Sequence, residues 1–436
     1  MKPPTSNLLN APKDIAPLIT FRILIGFLMA FGAVRFMWNG WIERLYIEPQ
    51  FFFKFYGFAW VEPLGLTEMY AVFSLIALSA LGIAFGCFYR ISTIVFFVLF
   101  TYVELIDATN YLNHYYLVCL FAFILMFLPA NRAFSVDVWR NPKRKVKYVP
   151  AWTVHILVLQ LTIVYTCAGI AKLNADWIFK ALPLSIWLPE HKNLPIIGFL
   201  FSYKWVAFLF SWGGALYDLT IAYFLRYAPT RKLAYVLVVL FHLMTYLLFN
   251  IGLFPFIMIF STLIFFPAKT HQKWLRSIGY RNESKTFFSY ANGWTNVMRP
   301  LFISYIVVQL FLPFRHWLYQ GNVLWNEQGY RFSWRVMVVE KIGQVTFYVK
   351  DKKTNRKTEI INGRYLTQFQ EKQMSIQPDF MLQFAQFLKE EFQLVHGMEN
   401  PIITVDAHVA LNGRVSKRFV DANLNLGDGE IVVIDY

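Results

Sequence analysis

Residues 150–171 contain no Asp, Glu, Lys or Arg, and the run ends on Lys172. At ~1.5 Å of rise per residue, a helix of this length crosses the hydrocarbon core of a bilayer. Its titratable groups are His155, Tyr165 and Cys167, and Asn174, Asp176 and Trp177 follow shortly after the lysine. Two readings of Lys172 are open. A lysine where a helix leaves the hydrocarbon can snorkel to the headgroups beside an aromatic belt. Alternatively it is an amine stripped of part of its water so that it can serve as a base. A helix C-terminus favours the ammonium form, so desolvation has to outweigh that effect.

The rest of the chain fits a membrane environment. Hydrophobic residues make up 57% of the 436 and charged residues only 15%, which excludes an ordinary soluble enzyme. About nine spans are expected, near residues 19–38, 70–89, 91–106, 111–128, 150–171, 205–225, 233–250, 253–266 and 301–317. The third and eighth are short for a bilayer. The first run is long enough to remain as a span and not be cleaved as a signal peptide. Residues 178–200, with Pro183, Pro189 and Pro195, read as a loop on the membrane surface.

The net charge of +15 raises the possibility of a nucleic-acid partner, but the basic residues lie beside spans. Topology and anionic lipid headgroups account for them. Basic groups are dense at residues 132–147, 226–232 and 269–299, while the third-to-fourth and seventh-to-eighth connections have none. Only Lys172, Lys180, Lys192 and Lys204, between spans five and six, break the alternation. The positive-inside rule places the N-terminus in the cytoplasm and the chain's end outside it. Cys87, Cys119 and Cys167 all lie in apolar stretches, which argues against a disulfide framework.

Beyond the last span the periodicity changes. Residues 1–319 read as a helical membrane domain and 320–436 as a β-rich, α+β soluble domain outside the cytoplasm. Strand-like alternation appears at 344–350 and 403–421, with the Asn412-Gly413 pair as a hairpin turn. Between them an amphipathic helix runs from Asp379 to Val395, with Phe380, Phe384, Phe387, Leu388 and Val395 on one side. The fold class is thus a polytopic α-helical membrane protein with a C-terminal β-rich domain.

Ionisable groups inside a membrane are costly and mark functional candidates. Asp107 ends the third span, Asn113 and His114 begin the fourth and Lys172 ends the fifth, so Asp107, His114 and Lys172 are expected to share one outer-leaflet pocket lined by aromatic residues. Asp218 and His242 lie inside spans six and seven, where interhelical hydrogen bonding is the plainer reading. Arg22 and Arg35 in span one read as structural or headgroup contacts. No HExxH, CxxCH, GxSxG, P-loop or dinucleotide fingerprint occurs, so no metal is expected. The chain shows no internal repeat of the kind a transporter would carry.

AGIAKLNADW (168–177) resembles the active-site lysine signature of vitamin K-dependent γ-glutamyl carboxylases. FGCFYRIS (85–92), LIDATNYLNHYYL (105–117), GGALYDL (213–219), FHLM (241–244) and FSWRVMV (332–338) match the same family in the same order. The N-terminal part resembles the HTTM membrane domain of bacterial homologues. The resemblance implies an integral-membrane enzyme that epoxidises reduced vitamin K (a menaquinol or phylloquinol) with dioxygen. The strong base so formed lets carbon dioxide add to the glutamate side chains of a peptide or protein acceptor.

It also implies Lys172 as the base and His114 as its catalytic partner, with Asp107, Asn113, Tyr165, Asp218 and His242 in supporting or substrate-binding positions. The implied partners are the lipid-soluble quinol, the glutamate acceptor and membrane lipids, with no nucleic acid. The implied location is a bacterial inner membrane or an endoplasmic-reticulum membrane. Asn174 stands where the animal enzymes have Asp, and Ala171 where they have Lys. Two alternatives remain at this stage: an epoxidase without carboxylation, and a non-catalytic membrane protein whose outer domain binds a partner.

Overall fold

The computed structural model describes residues 8–249 and 251–436; residues 1–7 and Asn250, the expected end of the seventh span, lie outside the described residues. The membrane region contains α1 (Ala16–Trp38), α2 (Leu66–Phe85), α3 (Tyr89–Ile106), α4 (Asn113–Phe127) and the short α5 (Val136–Arg140). It continues with α6 (Trp152–Ala171), α7 (Ala175–Lys180), α8 (Leu184–Glu190), α9 (Lys204–Arg226), α10 (Arg231–Leu248), α11 (Phe254–Ser261), α12 (Ala268–Ser277) and α13 (Asn292–Phe311).

Among the described residues, seven helices are long and apolar enough to cross a membrane, and eight if the bent pair around Phe266 forms one span. Nine were expected, and the two differences have local causes. Helix α4 has only 15 residues. The eighth expected span forms as α11 and a 3₁₀ turn that ends at Phe265, too short to count alone, after which Phe266 turns extended and the chain bends by 117° into α12. A residue before proline disfavours the helical region, which sets the break there. Helix α4 still links the two ends of the bundle. His114 at the start of α4 packs against Phe254 at the start of α11, while the Phe127 carbonyl at the end of α4 accepts from Tyr290 and Arg90.

One end of the bundle gathers the basic connections. The strands β1 (Pro12–Asp14) and β2 (Tyr148–Pro150) pair there and tie the start of α1 to the start of α6. Val146 N–H donates to Arg132 O, and Thr286 Oγ1 donates to Lys145 O. The opposite end carries Lys172 and the C-terminal domain.

Two glycines set the closest helix contacts. A Cβ on Gly26 would lie 2.7 Å from Ala84 N, so α1 and α2 touch backbone to backbone. A Cβ on Gly169 would lie 2.7 Å from Leu219 N. Only glycine permits that approach of α6 to α9, and it brings the end of α6 level with Asp218.

After α14 (Val323–Asn326), the C-terminal domain forms an antiparallel sheet of β3 (Lys341–Lys350), β4 (Lys357–Glu359), β5 (Ile402–Leu411) and β6 (Lys417–Arg418), in the order β4-β3-β5-β6. Strands β3 and β5 pair from Lys341↔Leu411 to Lys350↔Ile402. Alternation puts Phe347, Val349, Ile403, Val405 and Val409 on the buried side. Helices α15 (Gln368–Met374) and α16 (Pro378–Leu394) flank the sheet, and Phe380, Phe384 and Leu388 of α16 join its core. Val395 does not share that face: α16 ends at Leu394 and Val395 is 65% exposed. Asn412 and Gly413 both adopt positive φ, with Arg414 N–H donating to Leu411 O, so the expected turn forms. The core also takes in Phe53 and Ala108 from membrane-domain connections. The two regions thus share buried surface.

Candidate active site

Lys172 caps the C-terminus of α6, and its side chain turns inward. Nζ lies 2.7 Å from Asp218 Oδ2, with the lysine side chain 7% exposed and the aspartate 8%. A second, longer contact of 3.4 Å reaches Ala168 O, and the ammonium sits 5.3 Å from the centroid of the Trp177 ring. A snorkelling lysine would hold its head in the aqueous layer, and this one does not.

Trp177 is itself fixed. Asn174 caps α7 by accepting from Trp177 N–H at 3.0 Å, and Trp177 Nε1 donates to Ser211 O at 2.7 Å. Asp176, one residue earlier, accepts from Asn412 at 2.9 Å and pairs with Arg414. Burial pushes the Asp176 carboxyl up, but Arg414 and Asn412 outweigh it and hold it below its ordinary value. The hairpin tip of the C-terminal domain therefore latches the segment that shapes the lysine's surroundings.

The Lys172–Asp218 pair faces a cavity of about 100 Å³. Asn113, His114, Tyr165 and His242 also line it, so six of the seven candidate residues share one wall system. Tyr165 Oη lies 3.1 Å from His242 Nε2. His114 packs between Tyr115 and Phe254, with centroids 4.5 and 5.7 Å away. Asn113 donates to Arg335 O at 3.0 Å, which ties the cavity's edge to the C-terminal domain.

Asp107 is the exception and corrects the expected convergence. Its carboxylate accepts from Thr109 N–H and Oγ1 at 2.9 and 2.8 Å, and from Gln370 Nε2 of α15 at 2.8 Å. Burial pushes its carboxyl up while these donors act against that shift. Asp107 joins the two regions and does not line the cavity. Topology places helix ends at one depth but says nothing of their position around the bundle.

The sequence reading missed two features. Trp334, Val336 and Met337 close the cavity from the C-terminal side, within a loop where Phe332, Trp334 and Met337 all have positive φ. FSWRVMV was visible as a block, but it contains no glycine to signal such a backbone. Glu104 is an intramembrane carboxyl beside Arg35, Tyr46 and Tyr115 in a separate small cavity, and the rule that flagged Asp218 applied to it equally.

The lining suits an aromatic diol with an apolar tail. The walls are overwhelmingly apolar, and polar groups are few and convergent. Two buried nitrogens on these walls, His242 Nδ1 and Trp334 Nε1, have no hydrogen-bond partner among the described residues. Buried polar atoms without partners are rare, and both belong to residues that line the cavity. Half-buried Phe210, Phe241 and Phe249 carry the wall outward, towards the lipid-facing leucines 209, 216, 240 and 247. No group of three or more His, Cys, Asp or Glu side chains placed to hold a metal occurs among the described residues.

Comparison with known proteins identifies the family. The HTTM domain family model matches residues 10–270, more than half of the chain. The model of the vitamin K-dependent gamma-carboxylase lumenal domain matches residues 294–431. The chain belongs to the vitamin K-dependent γ-glutamyl carboxylase family. It is a helical membrane protein with a β-containing soluble domain and a carboxylase-like function in which vitamin K is the implied cofactor. The lumenal-domain match begins in the first turn of α13, so the last membrane helix is included with the C-terminal domain. No solved structure matches the chain.

Proposed function

We propose that this family member is an integral-membrane vitamin K-dependent γ-glutamyl carboxylase. It converts reduced vitamin K and dioxygen to the epoxide and couples this to carboxylation of glutamate side chains by carbon dioxide. The observation that carries the reading is the buried Lys172–Asp218 pair facing a cavity with aromatic walls.

When bound, reduced vitamin K supplies, with dioxygen, a base strong enough to take a glutamate γ-proton. The protein's part is to start and shelter that chemistry. A buried amine–carboxylate pair holds one acidic proton between its two partners; with that proton on Asp218, Lys172 Nζ has a free lone pair. Lys172 then takes the proton of a phenolic hydroxyl, whose ordinary pKa is near ~10, as a general base positioned by its helix end. His114 and His242 would hold the ring through its oxygens; with Tyr165 donating to Nε2 the His242 proton sits on Nδ1, which has no partner among the described residues. Trp334 and Met337 keep bulk water from the reacting centre, which protects any strong base formed there. The isoprenoid tail leaves between α9 and α10.

The basic connections support a cytoplasmic N-terminus and an extracytoplasmic C-terminal domain. A periplasmic or lumenal reporter fused after Tyr436 is expected to be active; activity restricted to a cytoplasmic reporter would reverse the orientation.

The activity test is turnover by purified protein. Vitamin K hydroquinone is expected to yield epoxide under air, and labelled carbon dioxide to enter a glutamate-containing peptide in proportion. Epoxide without label in any acceptor would reduce the activity to epoxidation, and absence of both would leave a binding protein.

A further inference from the structure

At the end of the bundle opposite Lys172, the protein has a second cleft, of about 600 Å³, between the first half of α1, the end of α2, α5 and the segment after α12. Its walls are mainly apolar. Phe27 and Phe85 lie on them and are 43% and 52% exposed, so they are continuous with the lipid-facing surface.

Its rim is cationic. Lys145 donates to Arg281 O at 3.2 Å, which uses one of its three protons. Among the described residues neither Lys145 nor Arg281 has a carboxylate within ion-pair distance. Trp139 stands beside them, 81% exposed.

Two further observations set the depth and the charge. Helix α12, turned 117° from the segment before it, buries His271 and Leu275 and exposes Lys269, Lys273 and Arg276. That is the pattern of a helix lying at a membrane interface, and it leads directly into Ile278–Arg281 on the cleft's wall. Behind the wall, Arg22 is fully buried and donates to Ala84 O and Phe134 O at 2.9 and 2.6 Å. Among the described residues it has no carboxylate within ion-pair distance, although Asp137 is near enough to act on it electrostatically. The guanidinium stands close behind the apolar floor.

We infer that this cleft is a binding site for an anionic phospholipid. The phosphate lies against Lys145 and Arg281 beside Trp139, and one acyl chain enters past Phe27 and Phe85. An apolar slot, unpaired cations and an exposed tryptophan at headgroup depth match the two halves of such a lipid. A soluble anion matches only one of them. The site lies across the bilayer from the quinol cavity and does not depend on the activity proposed above.

The test uses the purified full chain, delipidated in detergent, with dioleoyl-phosphatidylglycerol as probe and dioleoyl-phosphatidylcholine and glycerol phosphate as comparisons. Native mass spectrometry is expected to show one tightly held phosphatidylglycerol and no retained phosphatidylcholine. The double variant Lys145→Gln/Arg281→Gln is expected to weaken that retention about tenfold to thirtyfold, from the usual contribution of each basic residue near a lipid surface. Lys269→Gln/Lys273→Gln removes the same charge from the exposed face of α12 and is expected to leave retention within about twofold. Both variants are first checked for monodisperse elution. Equal loss in the two double variants would reduce the effect to general surface charge and overturn the site. Equal retention of phosphatidylcholine would do the same. Displacement of the lipid by millimolar glycerol phosphate would show an anion site without a lipid slot, which also contradicts the inference.

Discussion

Among the described residues two lysine–carboxylate pairs of nearly equal length are buried, and they differ in what surrounds the ammonium. In the C-terminal domain, Lys341 Nζ donates to Glu327 at 2.8 Å, to Trp325 O at 2.6 Å and to Ile376 O at 3.2 Å. An ammonium has three protons, and all three are used. In the membrane region, Lys172 has Asp218 at 2.7 Å and only the longer contact to Ala168 O at 3.4 Å, and the pair faces open space. Burial pulls the Lys341 amine below its ordinary range while Glu327 pushes it back, yet no substrate proton could reach it. Burial alone does not make a base. A buried lysine becomes chemically useful when its donors are left unfinished on the side where a substrate enters.

That contrast can be broken at either lysine, and the largest effect is expected at Lys172. Lys172→Ala removes the base and should lower epoxide formation by about 10²–10⁴-fold, the usual range for a positioned general base. The check is product per folded molecule, with a small primary amine added to look for partial rescue. Lys341→Met removes one partner of a fully bonded pair and leaves Glu327 buried without its cation. It should cost about 3–5 kcal/mol of C-terminal domain stability, read as a fall in the denaturation midpoint, with epoxidation per folded molecule nearly unchanged. A large loss of activity without loss of stability would erase the distinction between the two pairs.

Asp218→Asn sharpens the comparison from the carboxylate side. The amide still accepts a hydrogen bond but cannot take the lysine's proton, so a fall of about 10²-fold is expected, at the low end for acid–base groups. The smallest effect belongs to the latch at Asp176. Its folded carboxyl is held below the ordinary value, so the stabilisation is fully present above pH ~4 and is lost as pH falls through the folded value. Limited proteolysis of the C-terminal domain should rise as the pH falls below ~4 in the wild type, and rise less in Asp176→Asn.

The sequence showed the long spans because each is a continuous apolar run, and it showed Lys172, Asp218 and His242 because charge in such runs is conspicuous. The hairpin turn at Asn412-Gly413 and the inward stripe Phe380, Phe384, Leu388 followed from local chemistry alone. Residues that depend on distant packing were not visible. Asp107 bonds to Gln370, 263 positions away, and Phe53 completes a core otherwise made far downstream. Depth along the membrane normal was readable from helix ends, but the direction a side chain takes around its helix was not. The pairing of Lys172 with Asp218 needed Gly169, whose significance lies in the backbone of α9 and not in its own neighbours.

The central claim is that Lys172 acts through its lone pair and not through its charge, and Lys172→Arg tests it most directly. Arginine keeps the positive charge, the long stem and a partner for Asp218, but it cannot shed its proton at accessible pH. The measurement is vitamin K epoxide formed per enzyme, in protein that elutes as a single species from detergent. The account predicts no epoxide above the level of Lys172→Ala. Near-normal epoxide formation by the arginine variant would contradict it and reduce Lys172 to an electrostatic anchor for the helix end.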